Sequence, residues 1–192
     1  MTNLSDARLT VPEAAFVAGV SSKAINREID AKVITGTGAE RKLGVADLFY
    51  LVAIRDVRDQ VGPSLRKSFR RVISEAAASG EPEARCHHFV FAMKELRAEL
   101  LSGFEQLERT TDEFVEERPE VLHGEPVLKG TRIAVRHIAD LVKHGASSDE
   151  IEEDYEISAE QVQAALIYDR TRPRRGRPLA RRNRTTHVPA TR

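Results

Sequence analysis

Between His123 and Val135 the chain reads His-Gly-Glu-Pro-Val-Leu-Lys-Gly-Thr-Arg-Ile-Ala-Val, and this string constrains the fold more than any other stretch. Pro126 fixes its own φ and pushes Glu125 toward extended backbone. Gly124 and Gly130 supply turn conformations that a side chain resists. Val127, Ile133 and Val135 can fill one apolar face, with Arg132 directed the other way. The string predicts a short hairpin or turn that delivers the chain into a helix.

Three helices are expected after it. The first runs from about Val135 to His144 with Val135, Ile138, Ala139 and Val142 on one face, and Gly145 stops it. Ser147-Ser148-Asp149-Glu150 is a capping box that starts a second helix, burying Ile151 and ending near Tyr155. Ser158-Ala159-Glu160-Gln161 is another box, opening a helix that carries Val162, Ala165, Leu166 and Asp169. Three capped helices in so short a span form a compact trihelical unit, helix-turn-helix in outline.

The N-terminal part carries a similar layout. Thr10-Val11-Pro12-Glu13 is a capping box with proline in the first turn, followed by Val11, Ala14, Ala15 and Ala18 on one face. Gly19 ends that helix, and Ser21 or Ser22 caps the next, which runs to about Ala31 and buries Ile25 and Ile29. Two short helices about a glycine turn describe a helix-turn-helix. The exposed face of the second then carries Ser22, Lys23, Asn26 and Arg27. Lysine and arginine meet phosphate or guanine, and asparagine can bond an adenine edge. Val33-Ile34-Thr35, a Gly36-Thr37-Gly38 turn and Arg41-Lys42-Leu43 read as a small hairpin, a wing with basic residues at its return. Residues 9–48 thus resemble the winged helix-turn-helix of MerR and excisionase-type regulators.

The middle is expected to be a connector over residues 61–112. Asp47–Val57 is helical; Gly62-Pro63 breaks it, and a further helix carries Leu65, Phe69, Val72, Ile73 and Ala76, with Arg66, Lys67, Arg70 and Arg71 outward. Cys86-His87-His88-Phe89-Val90-Phe91 has strand character, and Leu96, Leu100, Phe104 and Leu107 give another helical stripe. Neighbours in a strand point to opposite faces, so Cys86, His87 and His88 cannot converge on one ion. The apolar stripes make this segment a candidate homodimer surface. No nucleophile–base arrangement or phosphate-cradling glycine loop is present, so neither catalysis nor a cofactor or metal is expected.

Charge divides the chain sharply although its net value is zero. Residues 119–169 hold four basic against eleven acidic residues, while residues 170–192 hold nine arginines and no acid. The acidic helix with Asp149, Glu150, Glu152, Glu153 and Asp154 would be repelled by DNA phosphates, so this unit suits protein contact better. The tail, with Pro173, Pro178 and Pro189 among its arginines, cannot build a core and is expected to be disordered alone. The one cysteine, the absence of a signal-like N-terminus and the lack of an 18-residue apolar run predict a cytoplasmic protein without a membrane span.

The string Gly124-Glu125-Pro126-Val127-Leu128-Lys129-Gly130-Thr131-Arg132-Ile133, with Gly145, Ile151 and Tyr155 after it, resembles the domain-of-unknown-function 433 family. One departure is Glu156, where that family often has proline after the tyrosine. With the MerR-like N-terminus ahead, the chain is similar to VapB-type antitoxins. The resemblance implies a partner, a PIN-domain ribonuclease toxin, and an autorepressed operator. Arg172, Arg174, Arg175, Arg177, Arg181 and Arg182 are then the toxin-binding candidates, set against carboxylates that hold Mg²⁺. Arg175-Gly176-Arg177-Pro178 also reads as an AT-hook core for a narrow minor groove. The DNA-binding candidates are Ser22, Lys23, Asn26, Arg27, Arg41 and Lys42. The alternative is a stand-alone MerR-like transcriptional regulator with an accessory dimerisation domain. The expected fold is mainly α with short β-hairpins: a winged helix-turn-helix at 1–60, the connector, the trihelical domain at 113–169 and the tail at 170–192.

Overall fold

A computed structural model describes residues 7–36 and 41–173. Among these the chain is mainly helical, with eight α-helices and three two-stranded antiparallel pairs. Strand β1 (Arg8–Leu9) leads into α1 (Val11–Val17), where the Glu13 carboxylate accepts the backbone N–H and the hydroxyl of Thr10 at 2.9 and 2.8 Å. Gly19 turns the chain at φ +63°, and the Ser21 hydroxyl accepts the Ala24 N–H at the start of α2 (Ser22–Asp30).

The hairpin expected over residues 33–43 takes another form. Val33 and Ile34 are buried, and both donate their N–H to the Glu28 carbonyl, so they close α2 instead of forming a strand. Leu43 pairs with Leu9: β2 (Leu43–Gly44) runs against β1, and the segment returns to its own beginning. The tip at residues 37–40, including the Thr37-Gly38 part of the expected turn, lies outside the described residues.

Helix α3 (Val45–Ile54) is buried almost all round, as its near-continuous apolar sequence requires. Helix α4 (Pro63–Ser79) lies against it and ends at Gly80 with φ +77°. The stretch from Cys86 to Phe91 is not one strand. It is the turn and flanks of a hairpin, β3 (Glu83–Cys86) and β4 (Phe89–Ala92), with His87 and His88 as its two turn residues and His87 at φ +53°. Phe89 and Phe91 pack edge-on to Phe69 of α4, with ring centroids 4.8 and 5.1 Å apart. Helix α5 (Met93–Phe114) buries Met93, Leu100, Phe104 and Leu107.

The last third holds β5 (Val115–Glu116), β6 (Val127–Leu128), α6 (Val135–Lys143), α7 (Ser148–Tyr155) and α8 (Ala159–Thr171). The three expected helices are present, and the Ser147–Glu150 and Ser158–Gln161 boxes open the last two. Glu156 closes α7 at φ +53°, a conformation closed to proline, and Ser158 still caps α8.

Two cores result. The first runs from Ala14 to Leu107 and includes α1–α5 with the β3–β4 hairpin; the second is built by Val115, Leu128, Val135, Ile138, Ile151, Ile157, Val162, Ala165 and Tyr168. Helix α8 serves both. Its Val162, Ala165 and Tyr168 face the second core, while Ile167 enters the first. Leu166, expected on the buried stripe, is only half-buried, and Ala164, Ile167 and Thr171 are buried as well.

Candidate nucleic-acid interface

Helix α2 presents different chemistry on its two sides. On the inside, Ile25 and Glu28 are fully buried. The Glu28 carboxylate accepts the Tyr50 hydroxyl from α3 at 2.8 Å and an Arg66 N–H from α4 at 2.9 Å. A buried carboxylate is tolerated only when paired and hydrogen-bonded, so these bonds fix the rotation of α2 about its axis. Burial, then the Glu28 carboxylate, raises the Tyr50 pKa far above its ordinary value. The Arg58 guanidinium donates to the Ala24 carbonyl at 3.2 Å and braces the first turn of α2.

On the outside, Lys23, Asn26 and Arg27 stand at i, i+3 and i+4 on one face, with Lys23 and Arg27 exposed and Asn26 half-exposed. Ser22 opens the helix, half-buried. Arg41 is exposed at φ +50°; its Cβ comes within 3.0 Å of where a Gly36 side chain would start, so the residues flanking the undescribed tip lie side by side. Lys42 follows, exposed, before β2. Among the described residues Lys23, Asn26, Arg27 and Arg41 make no side-chain hydrogen bond or ion pair.

Other cations are committed elsewhere, against expectation. Arg66 and Arg70 do not face outward. Arg66 reaches Glu28, and Arg70 grips Asp47 Oδ1 through two nitrogens at 3.0 and 2.7 Å. Both carboxylates are buried, and the arginines fold inward to neutralise them. Arg71 does face solvent and pairs with Glu75. The basic surface from α4 is therefore smaller than the sequence suggests.

A second locus lies at the other end. Leu128 N–H donates to the Ile133 carbonyl, and Thr131 N–H and hydroxyl both reach the Leu128 carbonyl, closing a tight loop around Gly130 at φ +78°. The Glu116 carboxylate accepts the Gly130 N–H at 2.9 Å, and Arg118 donates to the Thr131 carbonyl at 3.1 Å. The loop is thus clamped to the segment after α5, with Arg132 exposed. Arg172 ends α8 with its guanidinium 4.8 Å from the Tyr168 ring, whose hydroxyl donates to Glu117. Arg174, Arg175, Arg177, Arg181 and Arg182 lie outside the described residues. On α7, Asp149, Glu153 and Asp154 are exposed.

Residues 115–168, from the start of β5 to Tyr168, match the family described as "Protein of unknown function (DUF433)". This segment is a DUF433 domain. It encloses the clamped loop, α6, α7, α8 as far as Tyr168, and every residue of the second core. An uncharacterized protein, y4eO, of Sinorhizobium fredii (strain NBRC 101917 / NGR234) is 29 % identical over 189 residues, covering 88 % of this chain and 83 % of its own length. An alignment of that extent reaches well beyond the DUF433 domain. The crystal structure of Rv2018 from Mycobacterium tuberculosis aligns over 82 % of this chain and 95 % of its own, at 20 % identity and a TM-score of 0.34. Among the described residues no helix is long and apolar enough to cross a membrane, and no group of three His, Cys, Asp or Glu is placed to hold a metal ion.

Glu28 and Tyr50, which set the orientation of α2, escape a sequence reading. Glu28 looks like one more polar residue of an amphipathic helix, and only its spacing of three from Ile25 hints at burial.

Proposed function

We propose that this protein is a non-enzymatic, cytoplasmic antitoxin that binds operator DNA through α2 and holds a PIN-domain ribonuclease through its DUF433 domain and arginine tail. The observation that carries the reading is the uncommitted face of Lys23, Asn26 and Arg27, aimed by a buried ion pair on the opposite side of the same helix. Helix α2 acts as the recognition helix of a MerR-like helix-turn-helix, with Arg41 and Lys42 on the segment that leads from it to β2. Lys23 and Arg27, unpaired among the described residues, can displace counterions from DNA phosphates more readily than cations held in ion pairs. The acidic surface of α7 suits a protein partner instead. Self-association into a homodimer would present two α2 helices to an operator with two half-sites.

Two experiments test this. Anisotropy with the DNA upstream of the gene should show Arg27→Ala weakening binding by about 1–3 kcal/mol if it meets a base edge, and Lys23→Ala lowering the salt slope by about one. Unchanged affinity at matched salt for both variants removes α2 as the reader. Co-expression with a neighbouring nuclease frame should yield a co-eluting, inactive complex. Removing residues 174–192, which leaves α8 whole, should restore nuclease activity while leaving DNA binding by α2 intact; a truncated chain that still inhibits fully rules out that part of the tail.

A further inference from the structure

The β3–β4 hairpin is a sheet of two strands only, so each strand has one edge without a ladder partner in the fold described. The Met93 N–H donates to the Pro82 carbonyl, which sets the alternation: the backbone groups of Pro82, Ala84 and Cys86 face β4, and those of Glu83 and Arg85 face away. Along that outer edge runs an open cavity of about 590 Å³. Its walls are formed by α4 and by residues 81–85, and none by β4, with Val72, Ala76 and Ala84 as the apolar part. An added strand would meet unpaired N–H and C=O groups on one side and the α4 surface beneath.

The charges on the edge decide the occupant. Glu83 and Arg85 are exposed on the outer face of β3, separated by Ala84, and within the strand they form an ion pair of 2.6 Å. Turned antiparallel on a two-fold axis through Ala84, β3 places Glu83 opposite Arg85 of a second copy, and Arg85 opposite its Glu83. The backbone groups of both residues then exchange N–H···O bonds across the axis, because both point to the free edge. Ala84 meets its own image at the closest approach, and its small side chain leaves that contact open on the α4 side. An edge strand usually carries charge to repel other strands. Here the alternating signs repel a like-charged strand and match the same strand reversed.

We propose that the outer edge of β3 is a homodimer interface, in which two copies pair as a four-stranded sheet of order β4–β3–β3–β4. This assigns a surface to the self-association included in the functional reading above, and it holds whether or not α2 meets DNA.

Sedimentation of the full-length protein without DNA tests it. The wild-type chain is expected to be dimeric at tens of micromolar. Arg85→Glu sets like charges directly opposite on both sides of the axis, as does Glu83→Arg, and each should weaken dimerisation by about tenfold or more. Mixing these two variants restores a 1:1 dimer, because one edge is then wholly acidic and the other wholly basic. The double variant Glu83→Arg with Arg85→Glu self-associates as the wild type does. Circular dichroism melts check that each variant is folded; a loss of folding does not produce recovery on mixing. A monomeric wild-type chain, or a dimer indifferent to either charge reversal, overturns the proposal, including the case in which the edge takes a strand from another protein. Half-site anisotropy on the same variants reads α2 separately, so failure of the pairing and failure of the DNA reading are distinguishable.

Discussion

Glu28 has no solvent exposure and lies on the inner side of a helix whose outer side is basic. Replacing it with alanine leaves the largely buried Arg66 charge without its partner, and urea unfolding should show a loss of about 3–5 kcal/mol. Tyr50→Phe removes only one donor to that carboxylate and should cost about 1.5–3 kcal/mol. The phenol itself makes a pH prediction. Its folded pKa is raised above the ordinary 10.0, so above pH 10.0 the unfolded chain loses a proton that the folded chain keeps. Stability from Tyr50 is therefore complete below that pH and falls as pH rises. Ultraviolet titration should show one tyrosine ionising only on alkaline unfolding, and Tyr50→Phe should flatten the alkaline decline. None of this was legible in the sequence, because helical periodicity assigns every charge to solvent. For Arg66 and Arg70 that assignment fails for the same reason: long side chains can turn back over their own helix toward a buried carboxylate.

At the scale of elements, start and stop signals carried most of the information. Thr10, Ser147 and Ser158 open their helices where the capping patterns place them, because the local hydrogen bond requires nothing from the rest of the fold. Signals that depend on distant partners were less legible. The His87-His88 turn lacks the glycine or asparagine that marks tight hairpins, so two strands read as one. Leu43 could not be assigned to Leu9 rather than to Val33 by local pattern. Gly103 shows how a contact between elements reverses a propensity argument. A helix-interior glycine replaced by alanine ordinarily gains about 1 kcal/mol. In α5, however, a Cβ at this position would lie 2.7 Å from the Val17 carbonyl oxygen at the end of α1. Gly103→Ala should instead destabilise by about 1–3 kcal/mol through forced separation of the two helices, measured by denaturant midpoint.

For the molecule as a whole, α8 joins two cores that sequence patterning treated as separate. Its apolar residues cover more than one side, so no single stripe announced them. The consequence is one cooperative transition: heating should melt the α1–α5 part and the DUF433 domain together. Ile167→Ala, although it lies in the DUF433 domain, should remove about 2–5 kcal/mol and lower the stability of the first core. Two resolved transitions in calorimetry, with only the later one shifted by Ile167→Ala, would refute this coupling. Of the candidate interface, the face of α2 was readable from residue type and spacing. What aims it, the Glu28 pair, was not, since that depends on which helices lie beneath.

The shared helix also sets an order on synthesis. Leu107, the last residue of the first core before α8, precedes Ile167 by 60 residues. At a translation rate of about 5–20 residues per second, the nascent chain spends roughly 3–12 s with that core unsealed along the face where Ile167 will sit. During that interval an apolar surface is open to water beside the ribosome, although Tyr50 and Arg66, which hold α2, have already been made. Final closure of the first core waits on α8, so the DUF433 domain has been synthesised by the time that core is sealed.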